Sequence, residues 1–460
     1  MTVGLVSLLQ TGKSSLLSHQ SGISTASQNL ANVNTEGFSK RDAMFQADGR
    51  YNGLSNVEVR RRRAMFVGVN ILAQESRKAG AEAKMTALAS LDRVYADGDG
   101  SLGDRLDKFF DTIRTLETSP TDGDLRTNMV AQAQALVDKI KATATEIETQ
   151  RIQSDQTLED AVARVNAITA NIASLNEQIS KIKGAGDDAY EAMDRRDNLV
   201  RELSTFIDIT TFEGDDSQIT VLFNGAQPLV ENHVSARLEA TLDPNYGNLR
   251  RIDLVHDSGV RHDITQEMEG GTIGGIIELR DDTLPTLLDQ LDNFAFDLAT
   301  NFNAAHSAGF GLDGVSGRDF FEAPAGVADA AATLSLVADL DNNTSWIAAS
   351  TSAVDAVGGN GNLAVLLGLE DQALAGSNTR TFREEIANAM SSVGRLVQAN
   401  NVVATESSSE LQQLNAIRES ATGVSIDEEM LDLTRYQRGY QAGAKIIETT
   451  EMMYDIILSL

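Results

Sequence analysis

Ile168-Thr169-Ala170-Asn171-Ile172-Ala173-Ser174-Leu175-Asn176-Glu177-Gln178-Ile179 is one window of a longer pattern. Ala133, Val137, Ile140, Ala144, Ile147, Arg151, Ser154, Leu158, Ala161, Val165, Ile168, Ile172, Leu175, Ile179 and Ile182 stand four and three residues apart without a break. That spacing places them on one stripe of an α-helix, the stripe of helices that pack along their length. Only Arg151 and Ser154 interrupt its apolar character. A helix of about 50 residues is roughly 75 Å long, a rod rather than a compact element. Gly184-Ala185-Gly186 closes it, and a shorter helix follows to about residue 205.

Working outward, the same spacing recurs on both sides. It runs through Leu284, Leu288, Leu291, Ala295, Leu298, Phe302 and Ala305, and again through Phe382, Ile386, Ala389, Val393, Leu396, Asn400 and Val403. It marks both ends of the chain. At the start it is Leu5, Leu9, Gly12, Leu16, His19, Ile23, Ala26 and Leu30; at the end it is Leu433, Tyr436, Tyr440, Gly443, Ile447, Thr450, Tyr454 and Ile457. Neither terminal stripe can hide itself alone, so the two are expected to pair, with Gly12 and Gly443 letting the backbones approach. Asn32 and Asn34 break the first helix and Gly37 ends it. Residues 38 to 70 look extended, with alternating Val57 and Val59, turns at Asp48-Gly49 and Asn52-Gly53, and then Phe66-Val67-Gly68-Val69. Between 206 and 280 four strand-like runs appear: Phe206–Thr210, Ile219–Phe223, Val234–Leu238 and Ile252–Val255, with a hairpin-type turn at Asn224-Gly225. Residues 307 to 378, rich in Gly, Ala, Asp and Asn, give no clear pattern.

The expected architecture is mainly α with a β insert (α+β). Residues 1–70 and 425–460 form an assembly domain of paired, coiled-coil-like terminal helices and an extended segment. Residues 71–205 and 281–424 form a long-helix bundle, and 206–280 a small inserted β domain.

The 460 residues are 42% hydrophobic, enough for globular cores, and carry a net charge of −29. Such a surface repels nucleic acid and anionic lipid, so neither is an expected partner. The run Arg60-Arg61-Arg62-Arg63 is the contrary patch, read as local ion pairing on a strand edge rather than an RNA site. With no cysteine, disulfides and thiolate chemistry are excluded. No secretory signal and no apolar run of membrane-spanning length is visible.

Several chemical motifs are suggested and fail. Thr11-Gly12-Lys13-Ser14 resembles the tail of a phosphate-binding loop, but the required upstream Gly is Ser7 and the setting is helical. Asp97-Gly98-Asp99-Gly100-Ser101 resembles a calcium loop, but the sharp-turn position is Leu102 and the bidentate acid would be Lys108. His256 and His262 flank a turn without further ligands, and His19 sits on an apolar stripe as a packed residue. No carboxylate pair or nucleophile stands out, so no catalytic residue, cofactor or metal site is expected.

The terminal strings carry more. Asn29-Leu30-Ala31-Asn32-Val33-Asn34-Thr35-Glu36-Gly37-Phe38-Ser39 resembles the signature of bacterial flagellar axial proteins. The string from Gly423 through Arg435-Tyr436-Gln437 and Tyr440-Gln441-Ala442 to Leu460 is similar to the flagellar hook-associated protein 1 family. Three interior strings agree: Gly270–Asp281, Asn303–Gly309 and Gly314–Phe321. Phe38 and Lys40 stand where Tyr and Arg are usual.

The resemblance implies a structural component of the bacterial flagellum, not an enzyme: a ring between hook and filament that supports filament assembly. It implies contacts with the hook protein and the second junction protein, and self-association into a ring. It also implies export through the flagellar type III apparatus without a cleaved signal peptide, to the extracellular flagellum. A cytoplasmic export chaperone would cover the C-terminal helix beforehand. The implied assembly seam is Leu5, Leu9, Leu16, Ile23, Leu30, Leu433, Tyr436, Tyr440, Ile447, Tyr454 and Ile457. The axial signature is Asn29, Leu30, Ala31, Asn32, Asn34, Thr35 and Gly37, in which the asparagine side chains satisfy backbone groups at a helix end and Gly37 frees the turn. The terminal helices are expected to be ordered by assembly. The alternatives are another axial subunit (hook, distal rod or second junction protein) and a secreted adhesin-like protein using 206–280 for recognition.

Overall fold

The computed structural model describes residues 2–35, 37–48, 53–214, 217–256 and 259–459. The fold is mainly α with small antiparallel sheets. In chain order the elements are α1 (Thr2–Ala31), β1 (Arg41–Asp48), β2 (Gly53–Arg61), α2 (Met65–Tyr95), α3 (Leu102–Thr118), α4 (Gly123–Gly184) and α5 (Tyr190–Phe206). Then come β3 (Ile209–Glu213), β4 (Ile219–Phe223), β5 (Gln227–Glu231), β6 (Val234–Ser235), β7 (Arg237–Asp243), β8 (Leu249–Val255) and β9 (Arg261–Asp263). The rest is helical: α6 (Gly271–Glu278), α7 (Leu284–Ala308), α8 (Ala330–Thr333), α9 (Gly361–Gly368), α10 (Phe382–Thr422) and α11 (Ile426–Ser459). A single π turn, Leu279–Thr283, joins α6 to α7.

The chain divides into two compact units. One comprises Met1–Ser76, Val165–Arg237 and Glu406–Leu460; the other comprises Arg77–Arg164 and Leu238–Thr405. This division differs from the one expected. The boundaries fall inside α2, α4 and α10. The segment 206–280 is also divided: the four-stranded sheet β3-β4-β5-β6 belongs to the first unit and the three-stranded sheet β7-β8-β9 to the second. Turn residues and alternation in 206–280 identify strands one at a time, but say nothing about which strands share a sheet.

Most element expectations hold within a few residues. The 62-residue α4 begins ten residues before the first stripe position, Ala133. Asn224 and Gly225 have φ of 49° and 66°, the left-handed pair of a tight hairpin turn, and they join β4 to β5. Residues 65–69 differ: Met65-Phe66-Val67-Gly68-Val69 opens α2 rather than extending the strand region. Its apolar run suits either element, and length decides between them. The turn residues 49–52 lie outside the described residues.

In the second unit the core is aromatic at its centre. Phe109 of α3, Phe302 of α7 and the pair Phe320 and Phe321 pack with ring centroids 5.0–6.3 Å apart. Asn303, buried beside them, donates to the Phe321 carbonyl (2.8 Å) and accepts from the Phe320 and Phe321 amides (2.9 Å each). Nearby, His306 is fully buried; its Nδ1 lies 2.8 Å from the Arg318 carbonyl and its Nε2 accepts from the Ala348 amide at 3.0 Å. Two of the interior strings, Asn303–Gly309 and Gly314–Phe321, therefore fold onto each other. The third places buried Arg280 on Asp155 of α4 (2.7 Å) and on Asp281 (2.7 Å). It also sets Gly275 so close to Gly80 of α2 that a Cβ there would lie 2.4 Å from the Gly80 carbonyl oxygen.

Asp97–Ser101 is a turn between α2 and α3, as expected. The ammonium of Lys108 lies 2.8 Å from both Asp99 and Asp104, and Ser101 caps α3.

Candidate assembly surface: the terminal helix pair

Helices α1 and α11 pack against each other in antiparallel fashion. A Cβ on Gly12 would lie 2.8 Å from Ile447, one on Gly22 2.9 Å from Tyr436, and one on Gly439 2.4 Å from His19. Asn29 meets Glu429 at 3.0 Å. In each pair the two residue numbers add to nearly the same total, so the register is continuous from Asn29 down to Gly12. The buried positions of α11 are Glu429, Tyr436, Gly443 and Thr450, spaced by seven throughout. A repeat of seven keeps one face toward a partner helix, but these four residues include one apolar side chain.

This changes the seam. Among the described residues of α1 the buried ones are Leu5, Gly12, Ser18, Gly22, Thr25, Ala26 and Asn29. Of the eleven expected seam residues, Leu5 and Tyr436 are buried, while Leu16, Ile23, Leu30, Leu433, Ile447 and Tyr454 are half-buried along the flanks. Leu9, Tyr440 and Ile457 face outward. Small residues bring the backbones together, and the larger apolar side chains are pushed to the sides. The glycine signal was present in the sequence at Gly12 and Gly443; Gly22 and Gly439 were missed because a small residue adds nothing to an apolar stripe.

The α1 helix carries Thr11-Gly12-Lys13-Ser14 as ordinary helical turns. His19, also on α1, lies between Phe45 of β1 (centroids 5.4 Å) and Tyr436 of α11 (6.4 Å); burial, then the Arg435 charge, lowers its pKa.

A polar clamp closes the upper end of the pair. Asn29 Nδ2 donates to the Arg41 carbonyl (2.8 Å) and to Glu429 Oε2 (3.0 Å), and its Oδ1 accepts from the Arg41 amide (3.1 Å). Lys40 reaches Glu428 (3.0 Å) and Glu429 (2.9 Å), and its amide donates to the Thr422 carbonyl. Burial alone would lower the Lys40 pKa; its hydrogen bonds to Glu429 and Glu428 outweigh that and hold it above its ordinary value. Four segments thus meet at one cluster: the end of α1, the strap 38–41, the end of α10 and the first turn of α11.

The other signature residues make the turn. Asn32 donates to the Gln28 carbonyl (2.9 Å), and Thr35 donates to Asn32 Oδ1 (3.2 Å). Asn34 is exposed and shows no side-chain bond among the described residues, unlike the other two asparagines. Leu30 is half-buried and Ala31 exposed. Gly37 has φ of 78°, and a Cβ there would lie 2.1 Å from Asn198, so both conformation and space require glycine. Glu36 lies outside the described residues.

The arginine run is consumed locally, as its reading as ion pairing expects. Arg60 pairs with Glu58, Arg61 with Asp194 and Asp197, Arg62 with Asp42, and Arg63 with Glu213. Arg61 and Arg63 tie the β1–β2 hairpin to α5 and β3. Beside them runs a groove of about 830 Å³, lined by the loop after α1, the start of α2, α5, β3, β4 and the α10–α11 junction. Among the described residues, no group of three or more His, Asp or Glu side chains could hold a metal ion, and no helix is long and apolar enough to cross a membrane.

A family model, the helical domain of flagellar hook-associated protein FlgK, matches residues 88–321, half of the chain. The chain belongs to the FlgK family of flagellar hook-associated proteins. A second model, the C-terminal region of flagellar basal-body rod FlgEFG proteins, matches 419–460, which covers α11. The chain is 24% identical to "Flagellar hook-associated protein 1" of Salmonella typhimurium, over 99% of this chain and 100% of that protein. It is 22% identical to the Escherichia coli K12 protein of that name (99% and 100%), and 23% identical to the Bacillus subtilis one (98% and 97%). The Salmonella alignment runs over 551 positions against 460 residues here, so that relative carries stretches this chain lacks. The solved flagellar hook junction protein FlgK of Burkholderia pseudomallei shares the fold, with a TM-score of 0.68 at 14% identity over 78% of this chain and all of that one.

Proposed function

We propose that this chain is a structural, non-enzymatic subunit of the flagellar hook–filament junction, exported to the extracellular flagellum and needed for the filament to assemble. The observation that carries this is the α1–α11 pair. Helices α1 and α11 form one antiparallel unit whose buried seam, apart from Leu5 and Tyr436, is small and polar, while its other larger apolar residues lie on the flanks or face outward, available to neighbours. The full-length likeness to hook-associated protein 1 sequences, and a solved relative described as a hook junction protein, support placing that unit at the junction.

On this reading the outward residues Leu9, Tyr440 and Ile457 and the half-buried seam residues meet other copies, the hook protein and the second junction protein. The C-terminal helix is the surface that a cytoplasmic chaperone covers before type III export. The residues 1–70 and 425–460 act as the assembly domain. Deleting the gene should leave hooks complete and filaments absent, with flagellin released into the medium; normal filaments would overturn the proposal. The chaperone assignment has its own check. A chain lacking 430–460 should lose chaperone binding, and equal binding by the full and shortened chains would remove it.

A further inference from the structure

Three side chains of unlike chemistry are buried together in the polar clamp. Asn29 is 1% exposed, Glu429 3% and Lys40 4%. They come from α1, the first turn of α11 and the strap before β1, all within the first unit. Glu429 stands between the other two. Its Oε2 accepts from Asn29 Nδ2 at 3.0 Å, and its Oε1 lies 2.9 Å from Lys40 Nζ. Among the described residues Oε1 has no aligned hydrogen-bond partner, so its contact with Nζ is close but oblique. On the other side of the amide, the Arg41 N–H donates to Asn29 Oδ1 at 3.1 Å.

Each contact supplies a part that acyl transfer between two nitrogens needs. Lys40 Nζ is a nucleophile once it sheds a proton, and Asn29 Cγ is an electrophile. Glu429 touches both the nitrogen that would attack and the nitrogen that would leave, so one carboxylate can carry the proton between them. The Arg41 N–H faces the oxygen on which negative charge would develop. Burial excludes the water that would otherwise compete with the amine. Passing the Lys40 proton to Glu429 also removes two charges from the interior, where charge is costly.

We infer that Lys40 and Asn29 join in an isopeptide bond, with Glu429 as the acid–base group. Glu429 Oε1 takes a proton from the Lys40 ammonium. The freed Nζ lone pair attacks Asn29 Cγ, and the carbonyl electron pair moves onto Oδ1, held by the Arg41 N–H. Glu429 returns the proton to Nδ2, the Cγ–Nδ2 bond breaks and ammonia leaves. The surplus proton on the new amide nitrogen departs through Glu429 with the ammonia. One ammonium and one carboxamide thus become one secondary amide and one ammonium ion, with no oxidant and no cofactor. The two glutamates keep Lys40 protonated most of the time, which slows the step without forbidding it. It need happen only once per molecule, and groups fixed in contact react at effective concentrations of roughly 10⁵–10⁸ M. Once formed, the bond fixes the reversal between α1 and β1 without relying on charge. An arginine at position 40 would keep the ion pairs and offer no nucleophile. The reaction uses one chain alone, so it stands or falls apart from the junction role.

Mass spectrometry of the purified full-length chain tests this. The intact mass should fall short of the sequence mass by one ammonia. Trypsin should not cut after the acylated Lys40, so the peptide Ser14–Lys40 should give way to Ser14–Arg41 less one ammonia. Any chain still open on purification should close about tenfold faster for each pH unit of rise below the Lys40 pKa, following the neutral amine. Glu429→Gln should slow closure roughly 10²–10⁴-fold. Asn29→Asp should close with loss of water in place of ammonia. Full mass with a cleavable Lys40 after prolonged incubation at about pH 9 would overturn the inference. So would an ammonia loss that persists in Lys40→Arg, which would mean that Asn29 cyclises onto its own backbone. The deciding result is read in the unsubstituted chain, so a poorly folded variant does not blunt it.

Discussion

Asn29 shows how one side chain can fix a chain reversal. It holds both backbone polar groups of Arg41, twelve residues away, and reaches a buried carboxylate four hundred residues away. Asn29→Ala removes three hydrogen bonds and leaves Glu429 short of a donor. A cost of about 2–3 kcal/mol is expected, measured by denaturant unfolding, together with faster amide exchange at 38–41 and 426–430. Lys40→Met should cost about 3–5 kcal/mol, because it strands the buried Glu429 charge. The pH window of the clamp follows from its two shifted groups. Lys40 is raised, so its contribution is full below its unfolded pKa and is lost as pH rises through a folded value above 10.5. Glu428 is lowered by Lys40, so its contribution is present above about pH 4.5 and is lost as pH falls through a lower folded value. His306 behaves differently. Burial lowers its pKa from 6.5 to about 4, and protonation would aim an N–H at the Ala348 amide. A depressed folded pKa means stability that is whole above pH 6.5 and declines until about pH 4. The loss is about 3 kcal/mol in total, and His306→Gln should flatten that slope in melts followed from pH 7 to pH 4. An unchanged slope in the variant would remove His306 as the cause.

Helix α4 was legible because its stripe holds for some fifty residues with one spacing, and local periodicity is a property of sequence alone. The α1–α11 seam was legible only in outline. Both stripes were visible, but a stripe reports which residues are apolar, whereas the packed seam selects those small enough to let two backbones meet. Gly12, Gly22, Gly439 and Gly443 decide the register, and Leu9 and Tyr440 are displaced from it. The same reason explains the divided β segment, where strand pairing depends on contacts that no local pattern encodes. Asn29 and Asn32 both bond backbone groups near the end of α1, but the partners of Asn29 on Arg41 and Glu429 are tertiary contacts that no local pattern encodes. The register makes a sharp expectation. Gly439→Leu places a branched side chain onto His19 and should cost at least the 1–3 kcal/mol typical of overpacking. Gly394→Leu, where nothing lies within 4 Å of the added Cβ, should leave stability nearly unchanged. Equal effects in thermal melts would contradict the close approach of α1 and α11.

The molecule as a whole combines two kinds of packing. The second unit buries large side chains at nearly zero exposure, among them Phe109, Phe110, Ile113, Leu298, Phe302, Phe320 and Phe321. Among the described residues the α1–α11 seam buries two large apolar side chains, Leu5 and Tyr436, and fills the rest with glycine, alanine, hydroxyl and amide groups and the Glu429 carboxylate. Buried apolar area is the main favourable term in folding, so a helix pair held this way is weak until its outer face is covered. Local opening free energy follows that difference. In the isolated full chain, amides of 2–31 and 426–459 should exchange well before those of 102–118 and 284–308. Exchange at the ends should slow once the subunit is incorporated into flagella. A free monomer whose terminal helices are protected as strongly as α3 and α7 would mean that the pair is a finished core, and the outward apolar residues would then need an explanation other than assembly.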